Sequence, residues 1–153
     1  MQVINYQTSQ ENFNKLICSI SDKIYNAGDR ALMLMPEILL EEVDKLLWTF
    51  GRRKFIPHAT IQDKMPEDQP ILLSPNFTLV NKPKHIVLLK NTPADFSTNV
   101  WEYLKNTAIE RIIFLDAEIN PLLVQERKKF LSNETKIKEF THFIQQGANW
   151  QKL

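Results

Sequence analysis

Arg127 stands in a setting suited to holding a carboxylate beside an apolar group. Leu123 and Val124 precede it by four and three residues, and Phe130 and Leu131 follow by three and four. In a helix those residues are its surface neighbours. A guanidinium framed this way offers a forked donor pair where solvent screening is weakened, which fits a carboxylate next to a hydrophobic side chain. Lys128 and Lys129 lie beside the apolar surround rather than within it. The blander reading is an arginine whose stem covers the rim of the core while its head reaches water.

Trp48 is the second residue of interest. At about 100° per residue, Leu39, Val43, Leu46, Leu47 and Phe50 fall on one face of a helix, and Trp48 turns roughly 160° from the centre of that face. A tryptophan on the solvent side is costly to leave bare. It is covered either by the segment that follows or by another protein, and Phe55 and Ile56 would extend the same apolar surface.

The remaining chemistry-bearing residues form no recognisable constellation. Asp116 ends an apolar run, where active-site carboxylates of open α/β sheets often sit, but capping a helix or facing solvent explains it as well. His58, His85 and His142 lack the spacing of metal ligands on one element, and read as structural or surface histidines. Cys18, the single cysteine, can build neither an internal disulfide nor a cysteine zinc site, and reads as a small buried side chain. The first candidate strand-to-helix turn, Gln7-Thr8-Ser9-Gln10, contains no glycine, and the chain has only Gly28, Gly51 and Gly147. Neither a dinucleotide fingerprint nor a P-loop can be drawn from them, because both need glycines where backbone amides close on phosphate. A Gly-x-Ser-x-Gly elbow is also missing. The expectation is no catalytic residue, no cofactor and no metal.

Lys and Arg number 19 against 18 Asp and Glu in 153 residues. That balance argues against a protein whose main task is gripping a phosphate backbone. No apolar run approaches the ~18 residues that span a bilayer. The amino-terminal residues lack the basic-then-apolar pattern of a secretory signal, so a cytoplasmic location is expected.

The elements that must position these residues alternate in period. Strands are expected at Gln2–Gln7, Ala31–Met35, Ile71–Leu73, His85–Leu89 and Arg111–Leu115. Helices are expected after Ser9 with Phe13, Leu16, Ile17, Ile20 and Ile24 inward, from Ile38 to Phe50, over about Asp95 to Lys105, and from Asn120 or Pro121 through Arg127. Gly51–Asp68 reads as irregular. From Ile137 to Ile144 the pattern suits a helix or an extended segment. This order implies one α/β domain over 1–153: three layers, with a mostly parallel sheet of five or slightly more strands and helices on both faces, Rossmann-like in topology without a phosphate loop.

With these residues in view, the chain resembles the chi subunit of bacterial DNA polymerase III. Leu46-Leu47-Trp48-Thr49-Phe50 followed by Phe55-Ile56-Pro57-His58 matches that family's Leu-Trp … Phe-hydrophobic-Pro-His signature. Ala27-Gly28-Asp29-Arg30-Ala31 is similar to its Gly-x-Arg turn, Gln69–Leu73 to its third strand, and Arg127-Lys128-Lys129-Phe130 to its Arg-x-Arg-aromatic helix. Gln145-Gln146 and Trp150 complete the likeness. The resemblance implies an α/β protein without catalytic activity that binds the acidic, Phe-ending tail of single-stranded-DNA-binding protein. It implies attachment to the clamp loader, directly or through a psi subunit, with DNA contacted only indirectly and no membrane involved. The tail-binding arginine falls on Arg127 and its aromatic neighbour on Phe130, with Leu123, Lys128 and Leu131 completing the site. The psi-type contact falls on Trp48, Phe55 and Ile56. Leu123 and Leu131 stand where some members carry basic residues, and a helicase is another conceivable partner for Trp48. The competing classes are a small α/β enzyme using Asp116 and a single-stranded nucleic-acid binder using Arg52, Arg53 and Lys54 with Trp48.

Overall fold

In the computed structural model the described residues are 1–50, 56–93, 108–132 and 136–153. The expected helix at Asp95 to Lys105 lies outside them, as do Phe55 and the Arg52-Arg53-Lys54 run. The described chain runs β1 (Gln2–Gln7), α1 (Phe13–Asn26), β2 (Ala31–Leu34), α2 (Glu37–Thr49), β3 (His58–Thr60), β4 (Ile71–Ser74), β5 (His85–Leu89), β6 (Arg111–Asp116), α3 (Pro121–Leu131), β7 (Glu139–Gln146) and β8 (Asn149–Lys152). Short 3-10 turns sit at Gln10–Asn12 and Pro66–Asp68.

All eight strands form one sheet in the order β3-β4-β2-β5-β6-β1-β7-β8. Every pairing is parallel except that of β7 with β8. The architecture is the expected α/β class, with three strands more than the apolar runs account for. β3 is too short to show a period and arises inside the segment read as irregular. β7 and β8 resolve the ambiguous end as a hairpin, turned by Gly147 at φ +64°. The first helix also starts differently from expectation. Ser9 precedes a 3-10 turn rather than the helix, and its side chain makes no capping hydrogen bond. The turn after α1 needs Gly28 at φ +75°, a region costly for a residue with a Cβ. Arg30, just beyond, donates to the carbonyls of Glu67 (2.9 Å) and Asn81 (3.2 Å) and so ties two loops to the start of β2.

The central strands carry continuous apolar runs because the sheet is covered on both faces. Under α1 and α2, Leu16, Ile17, Ile20, Val43 and Leu47 meet Met33, Leu73, Val87 and Leu115. On the opposite face Val3, Leu32, Ile86, Ile112 and Phe114 form a second core closed by Leu131 of α3. The α1/α2 core draws no residue from β7 or β8. Among the described residues no helix is long and apolar enough to cross a membrane.

Candidate functional site

Helix α3 begins where Asn120 accepts the Leu123 backbone N–H at 3.1 Å, with Pro121 in the first turn. That start sets the phase of the helix, so that Val124, Arg127 and Leu131 point to the sheet. Arg127 is 0% exposed. The expectation of a guanidinium standing at the surface is therefore corrected. The carboxylate it meets belongs to the chain itself. Arg127 Nη1 donates to Asp116 Oδ2 at 2.7 Å and Nη2 to Oδ1 at 2.9 Å. Nη1 also donates to Asn5 Oδ1 (3.1 Å), while Nε and Nη2 donate to the Thr92 carbonyl at 3.1 and 2.7 Å. Beneath this plane lies the Phe114 ring, its centroid 4.1 Å from the guanidinium carbon. Every donor direction of the fork is thereby used.

Asp116 is equally committed. Its carboxylate also accepts from Gln7 Nε2 (2.9 Å) and from the Asn91 backbone N–H (3.2 Å). It neither caps a helix nor faces solvent, and with no exposed surface it offers no free base at the strand end. Bidentate ion pairing with full hydrogen-bond satisfaction is the condition under which two buried charges are tolerated. The pair also fixes the turn after β5, where Lys90 and Asn91 both adopt positive φ.

Gln7 carries this network to His142, whose Nε2 donates to Gln7 Oε1 at 2.8 Å. Burial, the larger cause, holds His142 below its usual 6.5; the Asp116 charge opposes the shift and the Arg127 charge adds to it. The unfolded chain therefore takes up this proton at a higher pH than the folded one. The stabilisation is complete above about pH 6.5 and is lost as the pH falls from there through the folded-state value. Denaturant midpoints at about pH 7.5 and about pH 5 should differ, and His142→Gln should reduce that difference. An unaltered pH dependence in the variant would show that other groups carry it.

The remaining α3 residues do not form one patch. Leu123 and Phe130 are seven apart and so lie within about 20° of each other on the helix. Leu123 is half-buried and Phe130 is 43% exposed. Lys128 points elsewhere, with its ammonium 5.9 Å from the centre of the Phe140 ring on β7. Leu131 is a core residue rather than part of a surface site, because it lies four residues from Arg127 on the sheet-facing stripe.

At the other candidate patch, α2 buries Leu40, Val43 and Leu47 and leaves Trp48 56% exposed. Outward placement agrees with the helical phase. The Trp48 ring meets His58 edge-on at 5.0 Å. His58 is itself fixed by the Ile56 carbonyl (2.7 Å) and by Asp44, whose carbonyl and carboxylate lie 3.1 and 3.0 Å from Nε2. Ile56 is corrected from surface contact to core: it is 0% exposed and packs in the α1/α2 cluster. What the sequence reading missed is His58 as the support of Trp48; a buried histidine two residues after Ile56 gives no periodic signal.

His85 is buried and sits 3.0 Å from Asp29; that hydrogen bond is the largest cause holding the Asp29 carboxyl below its usual range, burial opposes it, and Lys84 adds to the lowering. Burial pushes the Cys18 thiol up to about 11, which leaves it protonated and inert at neutral pH. Among the described residues no three His, Cys, Asp or Glu side chains are grouped to hold a metal ion.

Comparison with known proteins bears on the same residues. The family model of the DNA polymerase III chi subunit, HolC, matches residues 1–132, which takes in Arg127, Trp48 and the His58 support. A relative from Rickettsia prowazekii (strain Madrid E), named probable DNA polymerase III subunit chi, is 32% identical over 151 residues, covering 97% of this chain and 89% of its own. On both grounds the chain belongs to the DNA polymerase III chi subunit family.

Proposed function

We propose that this accessory subunit is a non-catalytic adaptor joining the clamp loader to the acidic C-terminal tail of single-stranded-DNA-binding protein. The observation that carries the reading is the outer surface of α3, where an exposed Phe130 stands in line with Leu123 and the last turn supplies the exposed Lys129, with Lys128 turned toward β7. A tail ending in Asp-Phe would lay its ring against Phe130 and Leu123 and its carboxylates toward Lys129. Arg127 supports this surface from beneath rather than touching the tail. Trp48, with Phe55, serves the clamp-loader side, directly or through a psi-type subunit, and DNA is reached only through these proteins.

The test is fluorescence anisotropy with a labelled peptide ending in Asp-Phe. Phe130→Ala and Lys129→Glu should each weaken binding about 5- to 10-fold, with unfolding midpoints close to wild type. Capping the terminal carboxylate of the peptide should weaken it further. Equal affinities for wild type and both variants would remove α3 from the tail site.

A further inference from the structure

The opposite face of the sheet carries an opening that the adaptor reading does not use. Alternation along β1 sends Asn5 and Gln7 toward α3 and Tyr6 toward α1. Because α1 links β1 to β2 across β6 and β5, it passes over the middle of the sheet and leaves β7 and β8 uncovered on its own side. Between α1 and that hairpin lies a cavity of about 460 Å³. Its apolar lining is Leu16 and Ile20 from α1 with Tyr6, Phe143 and Trp150 from the sheet. Tyr6 and Phe143 stack at 5.2 Å, and Trp150, 40% exposed, stands edge-on to Tyr6 at 5.6 Å as an end wall.

The rim is basic. Lys15 and Lys23 line it two helical turns apart, with Asn12, Ser19 and Gln145 as neutral polar neighbours. Lys152 is opposite Phe143 in the hairpin register and so shares that face. Among the described residues no Asp or Glu lines the cavity. None of the ion pairs among the described residues engages Lys15 or Lys23. A neutral chain has thus placed a local positive excess around an apolar pocket, which is the complement of an acidic segment with a hydrophobic anchor.

We propose that this groove between α1 and the β7–β8 hairpin is a second docking site, for an acidic peptide segment that inserts one large apolar side chain among Leu16, Ile20, Tyr6, Phe143 and Trp150 while its carboxylates meet Lys15 and Lys23. A single-stranded nucleic acid fits less well. Stacking bases need open ring faces, and here Tyr6 and Phe143 turn their faces on each other. The site lies across the sheet from α3, so one molecule can hold a tail on α3 and a second acidic segment here.

The probe is the peptide Asp-Glu-Asp-Phe-Glu-Asp, acetylated and amidated so that no chain-terminal carboxylate is offered, titrated into the intact isotope-labelled chain. Saturable shifts of the Trp150 indole and of α1 amides around Lys15 to Lys23 are expected. Lys15→Glu combined with Lys23→Glu, both exposed positions, should weaken binding at least about tenfold, and Trp150→Ala by a similar factor. Replacing the peptide's Phe by Ser should abolish it. Shifts confined to α3, an unaltered affinity in the charge-reversed chain, or no saturation by about 1 mM would overturn the site. So would tighter binding of oligo-thymidylate than of the peptide, with loss in the same variants. Phe130→Ala should leave this affinity unchanged, so failure here is separable from failure of the tail reading.

Discussion

Arg127→Ala should cost about 3–5 kcal/mol of folding stability, the range for breaking a buried ion pair by removing one partner. The substitution leaves Asp116 with no exposed surface and a charge compensated only by Gln7 and the Asn91 N–H. It also strands the Thr92 carbonyl and opens a void over Phe114. Arg127→Lys should recover little, since one ammonium cannot reach Asp116 twice and Thr92 as well. Asp116→Asn should be destabilising for the converse reason. In the double variant Arg127→Met with Asp116→Leu, part of the loss should return, because two buried charges disappear together; the return stays incomplete while Gln7 and Asn91 lack their acceptor. Urea midpoints of the four variants decide the matter. A wild-type midpoint for Arg127→Ala, with tail binding lost, would instead put the guanidinium at the surface and in direct contact with the ligand.

Trp48→Ala should do the reverse, sparing the fold and breaking a partnership. The side chain is more than half exposed, its inner edge rests on His58, and the core of α2 is carried by Leu40, Val43 and Leu47. Stability should fall by no more than about 1 kcal/mol. If Trp48 is the anchor of the clamp-loader contact, its truncation removes about 2 kcal/mol or more of binding, roughly a 30-fold weaker affinity. The measurement is calorimetric titration of the clamp-loader assembly, with and without its psi-type subunit, into wild-type and variant chains. His58→Ala should weaken the same contact by loosening the tryptophan. Unchanged affinity together with a loss of several kcal/mol in stability would assign Trp48 to packing.

The two residues were not equally legible. Trp48 could be placed from helical phase alone, because its neighbours Leu39, Val43, Leu46 and Leu47 define an inward face and leave it the outward one. The phase of α3 was readable in the same way, yet it misled. Leu123, Val124, Phe130 and Leu131 surround Arg127 whichever way the stripe faces, and nothing local says whether sheet or solvent lies opposite. The terminal hairpin was hidden by arithmetic. A spacing of four, as between Phe140 and Ile144, keeps residues on one face in a helix of period 3.6 and in a strand of period 2. Pairing of β7 with β1, Tyr6 against Phe143, and with β8 on its other side makes that segment a strand.

The α/β class, five of the eight strands, the absence of a glycine-built phosphate loop and the outward Trp48 were all legible in the residues, since each follows from local periodicity or from residues that are missing. Long-range packing set the rest. It brought Asp116 of β6 under α3 and gave Arg127 a buried carboxylate partner within the chain. It also laid β7 and β8 beyond the reach of α1, leaving a basic-rimmed groove that no local pattern announces. Both outcomes depend on which strands become neighbours, and that is set by long-range pairing rather than by any residue's immediate surroundings.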